Sequence, residues 1–347
     1  MTKGTTRPRV NLFHIRNLVI PYCPFKEQNR IVEKIEELFA KIDSGIVGLE
    51  KVKAQLKHYR QSVLKAAFSG QLSADWSEKY ADDVGAGLSH PSEQSVTKMK
   101  EELAAGGASV PLQKSDLSDL PAGWKWVSIT KMGEINRGKS KHRPRDDAKL
   151  FGGKYPFIQT GDVKNSNGVI TKFNQTYNDI GLQQSQLWPV NTLCITIAAN
   201  IADTAILGID ACFPDSVVGF IAKEETCSTK FVHYYFKTIK DRLESFAPAT
   251  AQKNINLAVL RNILIPCPKV REQNQVVDEI ERRFSVADEV EKTVNNALKQ
   301  AQRLRQSILK RAFEGKLVPQ DPNDEPAEVL LARIKAEKQK LDKKKRK

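Results

Sequence analysis
The sequence predicts a mixed α/β globular domain joined to two long helices, which come from an internal repeat and form an antiparallel coiled coil. Three observations carry this. Segment 16–72 recurs at 261–317, offset by 245 residues without a gap. Inside each copy, apolar residues fall at alternating steps of four and three. Between the copies lies a stretch of short β-like runs punctuated by glycine.

The repeat is dense in side-chain identities. Arg16-Asn17 pairs with Arg261-Asn262, Glu27-Gln28-Asn29 with Glu272-Gln273-Asn274, and Arg60-Gln61-Ser62 with Arg305-Gln306-Ser307. Ala67-Phe68 and Gly70 match Ala312-Phe313 and Gly315. Each copy opens with a β-branched run closed by prolines, LVIPYCP from Leu18 and ILIPCP from Ile263. Proline cannot donate to a ladder, so a strand stops there. A long helix follows, over 26–72 in the first copy and 271–317 in the second. Glu27 and Glu272 sit in the first turn, where the helix dipole favours an acid.

The first seam runs Ile31, Ile35, Leu38, Ile42, Leu49, Val52, Leu56, Tyr59 and Val63, interrupted once at Gly45. The second runs Val276, Ile280, Arg283, Ala287, Val290, Val294, Ala297, Ala301, Leu304 and Ile308, with Arg283 its polar member. Gly70 and Gly315 stand where each helix should end. At about 1.5 Å rise per residue such a helix is on the order of 65 Å long. Two seams in one chain most simply bury each other as an antiparallel pair. An ordinary dimerisation coiled coil would show the same spacing, but alternation with a globular insert favours a rigid spacer.

Residues 73–119 are polar and read as a surface connection, with one short helical stretch around 96–104. The globular domain is expected over 120–270. Its β-like runs are Leu193–Ala198, Ala205–Ile209 and Val217–Ile221, its turn signals Gly138, Gly152-Gly153 and Gly168, and its helix runs from about Thr229 to Ser245. Trp124 and Trp126 read as core.

Charge and cysteine usage bound the function. The 347 residues carry a net charge of +14, which suggests a polyanionic partner such as nucleic acid. Half of that excess lies in residues 333–347, with nine Lys/Arg against two Asp/Glu, so 318–347 reads as a basic tail. Five scattered cysteines without C-x-x-C spacing fit reduced, buried thiols and a cytoplasmic location. No apolar run is long enough to span a membrane, and MTKGTTRPRVNLF has no secretion signature.

Beyond this point the residues point by resemblance. The P-x-x-x-x-x-E-Q helix starts and the R-Q-S-[VI]-L-K-x-A-F-x-G-x-L helix ends resemble the repeated helices of the specificity subunit of type I restriction-modification systems. Leu120-Pro-Ala-Gly-Trp124 resembles the opening of that family's target-recognition domain. The stretches 198–207 (AANIADTAIL), 211–219 (ACFPDSVVG), 249–256 (ATAQKNIN) and 319–328 (PQDPNDEPAE) are similar to its later parts. The family order is recognition domain, helix, recognition domain, helix. On that order residues 1–25 read as the remnant of a first recognition domain, its last strand and turn over 11–25, and the chain as a half-length or truncated subunit.

The resemblance implies a non-catalytic protein without a cofactor. Its recognition domain would read half of a bipartite site in double-stranded DNA. Its helices would dock methyltransferase (M) subunits, and a restriction (R) subunit would join the larger assembly. Two such chains could pair head to tail as a homodimer. The alternative is an interaction protein that competes for docking surfaces without productive DNA reading.

DNA contacts are expected first from the loop Gly138–Arg145. Lys139 and Lys141 suit phosphates, Arg143 and Arg145 suit guanine, and His142 accompanies them rather than binding metal. Thr160, Asp162 and Lys164 follow a strand end, where Asp162 either accepts from cytosine or caps a turn. Asn200 suits adenine, and Thr250, Gln252, Lys253 and Asn254 cluster polar donors in a late loop. No G-x-G-x-x-G loop, phosphate loop, [DNS]-P-P-[YF] stretch or metal-spaced histidines accompany these. Pro214-Asp215 with Lys223-Glu224 only faintly resembles a nuclease core, with the wrong final spacing.

Overall fold
A computed structural model describes residues 11–79, 120–246 and 255–345. They form two compact units, one of Lys57–Ala287 and one of Met1–Leu56 with Asp288–Lys347. The chain opens with α1 (Leu12–Arg16), the long α2 (Phe25–Phe68) and α3 (Ala74–Lys79). The globular head then runs β1 (Lys125–Ser128), α4 (Ile129–Met132), β2 (Gly133–Arg137), β3 (Phe151–Phe157), α5 (Thr160–Asn165), β4 (Val169–Ile170) and β5 (Gln175–Tyr177). It continues through α6 (Asp179–Gln183), β6 (Leu187–Trp188), β7 (Leu193–Thr196), β8 (Thr204–Leu207), β9 (Ala211–Cys212), β10 (Val217–Ala222) and α7 (Thr229–Phe246). The corner α8 (Leu257–Arg261) and β11 (Leu264–Cys267) leads into the long α9 (Val270–Phe313), and α10 (Ala327–Lys345) follows.

The head is built on a five-stranded sheet ordered β2-β10-β7-β8-β4 and a four-stranded sheet ordered β5-β3-β9-β6. Strand β10 lies between antiparallel β2 and β7, and Val217 to Phe220 are buried. A strand covered on both faces reads as a continuous apolar run, as VVGF does here. Gly219 lets the indole of Trp188 approach; an added Cβ would lie 2.5 Å from its ring. Trp188 in turn stacks on Phe213 at 4.8 Å. Gly152-Gly153, expected as a turn, lie inside β3 instead. Backbone of Asn178 approaches so closely there that a Cβ on Gly153 would stand 2.3 Å from it.

One core joins the head to the helix ends of the same unit. Leu193, Ile195 and Phe220 of the sheet and Phe231, Tyr235 and Phe236 of α7 are buried with Val63, Ala67 and Phe68 of α2 and Val276, Val277 and Ile280 of α9. Phe68 meets Phe231 edge-on at 5.0 Å. Each fully buried side chain of this size contributes roughly 1.5–3 kcal/mol. Trp124 is core, as its sequence context predicts. Cys194, Cys212, Cys227 and Cys267 are buried thiols; burial raises all four, Cys267 to about 11.

In the other unit α2 and α9 run antiparallel. Lys53 donates to Asn295 at 3.3 Å, Asp43 pairs with Arg305, and Arg30 pairs with Asp324 at 2.6 Å. The first seam continues through Gly45, with Ile46 half-buried beside Ile42 and Leu49. Most of the second seam faces inward as read from the sequence: Val276, Ile280, Arg283, Ala287, Val294, Ala297, Ala301 and Ile308 are buried or half-buried. Val290 and Leu304 depart from it, at 40% and 52% exposed, and Leu298, Arg305 and Ala312 are also buried or half-buried. Arg305 takes the inward position because it pairs with Asp43 and lies over the Phe39 ring at 5.1 Å. Both helices end on a left-handed glycine, Gly70 at φ 77° and Gly315 at φ 68°.

The repeat is a repeat of structure as well. Helix α1 and helix α8 match at the same offset, each capped by an asparagine, Asn11 and Asn256. Their sequels differ. Residues 264–267 form β11, antiparallel to β1, whereas 18–24 form no strand. A strand needs a partner, and none of the described residues pairs with 18–24. The sequence expectation of a strand there therefore fails in this chain. The helical stretch expected at 96–104 lies outside the described residues. The basic tail is not featureless, since α10 occupies most of it.

Candidate nucleic-acid interface
The loop after β2 starts at Gly138, whose N–H donates to Val217 O at 2.9 Å. A Cβ at Gly138 would meet Pro214 O at 2.4 Å and Phe213 O at 2.5 Å. Glycine thus lets the loop leave flush against the neighbouring strand connection. The loop backbone is then tied down. Ser185 Oγ donates to Lys139 O at 2.9 Å, and His142 N donates to Gln184 Oε1 at 3.0 Å. Lys139, Lys141, Arg143 and Arg145 are all exposed.

The side chains of the loop divide by role. Arg143 Nη1 donates to Ser140 O at 2.7 Å and to His142 O at 2.8 Å, so it braces the loop. Arg145 pairs with Asp215 at 2.8 Å. His142 lies 2.9 Å from Asp147, whose carboxyl is held below its ordinary range by the Lys149 backbone N–H and by His142.

A cavity of about 460 Å³ opens beside this loop, with Ser140, Arg145 and Asp146 on one wall and Gln159, Thr160 and Gln175 on another. Phe151, Phe157, Pro214 and Ser216 complete the lining. Gln159 donates to Gln175 at 2.6 Å. Sequence reasoning missed this pair, because only the β3–β5 register, Phe157 opposite Gln175, brings them together.

Helix α5 carries the next set. Thr160 faces the cavity. Asp162 accepts from Gln159 N at 2.9 Å and from Asn174 Nδ2 at 2.7 Å, so the capping role holds both its oxygens. Lys164 donates to Asn200 at 3.2 Å. Asn200 sits in a turn between Ala199 and Ala202, which both have positive φ, 64° and 58°. Alanine in that region is strained by about 1–2 kcal/mol, a feature that clusters at binding sites. The structure thus places the basic loop with Thr160, and Lys164 with Asn200, while Thr250, Gln252, Lys253 and Asn254 lie outside the described residues. Among the described residues, no group of three or more His, Cys, Asp or Glu is arranged to hold a metal ion. No helix there is long and apolar enough to cross a membrane.

A mixed α/β head inserted between two copies of one long-helix unit defines a class by architecture. Residues 121–300 match the family model described as the type I restriction modification DNA specificity domain, and the chain belongs to that family. It is 26% identical over 352 residues to the EcoBI type I restriction enzyme specificity subunit of Escherichia coli, covering 97% of this chain and 68% of that protein. It is 24% identical to the EcoKI specificity subunit of Escherichia coli strain K12, covering 94% and 65%. The fold is shared with the HsdS subunit from Thermoanaerobacter tengcongensis, at TM-score 0.54 and 20% identity over 91% of this chain and 65% of that one. It is also shared with a chain solved in work on complex assembly and conformational transition of the type I R-M system, at TM-score 0.67 and 19% identity over 90% and 66%. The chain therefore spans about two thirds of the length of its relatives. The role these names give is specificity.

Proposed function
We propose that the head reads one half of a bipartite double-stranded DNA target and that the paired helices dock methyltransferase subunits, with a restriction subunit joining the larger complex. The observation that carries this is the tethered loop Gly138–Arg145, which holds four exposed cations, one of which, Arg145, lines a cavity together with Gln159, Thr160 and Gln175. Lys139 and Lys141 contact phosphate. Arg145, Thr160, Lys164 and Asn200 face the bases; Thr250, Gln252, Lys253 and Asn254, outside the described residues, are further candidate contacts. Arg143 and His142 shape the loop, and Asp162 fixes the start of α5. The work takes place in the cytoplasm, where DNA and methyltransferase meet.

The first test is the mass and stoichiometry of the purified chain, alone and with its cognate methyltransferase. A complex that methylates DNA at one reproducible motif is the expected result, and a head-to-tail dimer of the chain would make that motif palindromic. Absence of any methyltransferase complex would overturn the proposal. A second reading is favoured by the exposed apolar side chains Leu12, Phe13, Ile15, Leu18, Val19 and Ile20, of which Val19 is 92% exposed. In it the chain binds methyltransferase without giving a motif and so competes with other specificity subunits.

A further inference from the structure
The cavity beside the basic loop has a shape and a lining that groove contacts alone do not account for. Its volume is about 460 Å³, within the range that holds a small organic molecule. A side chain reads a paired base by protruding into a groove. A hollow does the opposite: it receives a group that protrudes from its partner.

The lining indicates which group. Phe157, 6% exposed, and the half-buried Phe151 supply the apolar part. Phe157 is held in place, because its ring stacks at 4.1 Å on Tyr177, which is fully buried. The polar part is led by Gln159 and Gln175, both exposed, with Gln159 Nε2 donating to Gln175 Oε1 at 2.6 Å. That bond orients both amides and does not use the two N–H groups of Gln175 or the second N–H of Gln159. Ser140, Thr160 and Ser216 add hydroxyls, each able to donate and to accept. The charges offset one another. Arg145 is paired with Asp215 at 2.8 Å, and Asp146 also lines the cavity. Such a lining disfavours a phosphate and suits a neutral, flat group with donors and acceptors along its edge. Of the parts of DNA, only the base is of that kind. Within the duplex its faces are covered by stacking, so it offers face and edge together only when turned out of the stack.

We infer that this cavity seats one unpaired nucleobase, with its face against Phe151 and Phe157 and its edge on the amides of Gln159 and Gln175. The inference deepens, and rests on, the reading of the head as a DNA binder. Ser140 and Arg145 of the lining belong to the same loop as Lys139 and Lys141, so a duplex held by those lysines lies next to the hollow. The base arrives either turned out of DNA or as a free nucleoside; the chemistry that recognises it is the same.

The test measures, by anisotropy at low salt, how the full chain binds three short duplexes of one sequence. The first is fully paired, the second carries one unpaired nucleotide at its centre, and the third carries an abasic unpaired site there. The unpaired nucleotide is dA, dG, dC and dT in turn. An unpaired base has no pairing to break, so at least one of them should bind about ten-fold more tightly than the paired duplex. The abasic duplex has the same interruption without a base and should show no gain. Gln159→Ala and Gln175→Ala, both at exposed positions, should each remove most of the gain. Lys141→Ala should weaken all three duplexes alike and keep their ratio. A second arm titrates the isotope-labelled chain with each deoxynucleoside and follows the glutamine side-chain amide resonances. A gain with the unpaired base supports the inference with DNA as the source. Saturable amide shifts without that gain support it with the free nucleoside as the source. Equal affinity for paired and unpaired duplexes, together with no shift at millimolar nucleoside, overturns it. So does a gain that the abasic duplex shares or that survives both glutamine variants. A chain that selects one motif in paired duplex but shows none of these effects loses the base site and keeps the proposed function. A chain that binds no duplex yet shifts with a nucleoside keeps the site and loses the DNA reading.

Discussion

At the scale of residues, the basic loop combines a bracing side chain, Arg143, with the exposed lysines proposed to contact DNA. Lys139 and Lys141 are exposed on a tethered backbone, so each should neutralise one phosphate. Lys139→Ala or Lys141→Ala should weaken binding about equally for all sequences and lower the slope of log K against log salt by about one each. Filter or anisotropy titrations over a salt series would show it; an altered motif with an unchanged slope would reverse the assignment. A second prediction concerns His233, which is 3% exposed with Nδ1 at 3.0 Å from Thr204 Oγ1. Burial, helped by the Lys237 charge, pushes it down to about 3. Between that value and the ordinary 6.5 the unfolded chain binds the proton and the folded head does not. The stability contributed is therefore complete above 6.5 and lost as pH falls toward 3, with a slope of up to about 1.4 kcal/mol per pH unit. Denaturant melts of His233→Asn between pH 7 and pH 4 should lack that component; an unchanged pH slope would show that other groups dominate.

At the scale of elements, two junctions position the site. The start of the basic loop depends on Gly138, where a Cβ would strike two carbonyl oxygens. Gly138→Ala should leave the sheet folded but displace the loop, reducing sequence-selective affinity at least ten-fold with a small change in melting temperature. Normal affinity in that variant would show that the loop is not the reader. The second junction is Glu272, which ties Trp124 and Ser73 to the start of α9. Glu272→Ala leaves two buried donors without this acceptor, at about 1–3 kcal/mol each. Chemical denaturation should register that loss, whereas Glu279→Ala, on the more exposed side of the same helix, should cost less.

At the scale of the whole molecule, charge is distributed unequally. Half of the +14 excess lies in the final fifteen residues, and Lys335, Lys338 and Lys340 of α10 are exposed. Such a helix attracts any polyanion without reading it. Replacing those three lysines with glutamine should lower affinity for random duplex and reduce its salt slope by up to about three. The ratio of specific to random binding should stay the same. A changed ratio would place α10 in the recognition surface.

The sequence by itself determined the elements that repeat locally. The 245-residue offset, the heptad spacing and the glycines after Phe68 and Phe313 mark the two helices, because a seam and a left-handed cap are properties of a few consecutive side chains. Runs such as VVGF likewise marked the central strand. The order of many weak motifs marked the family. The tertiary structure decided what depends on distant partners. It turned Leu304 outward by giving its seam position to Arg305, which finds Asp43 across the helix pair. It drew Gly152-Gly153 into a strand and brought Gln159 against Gln175 through strand register. It made Arg143 a brace and Asp162 a cap, although both residue types suit DNA bases equally well. It also separated two nearly identical proline-closed runs into a buried strand at 264–267 and a bare segment at 18–24. A strand exists only when another strand supplies its hydrogen bonds, and that information lies in the partner rather than in the segment.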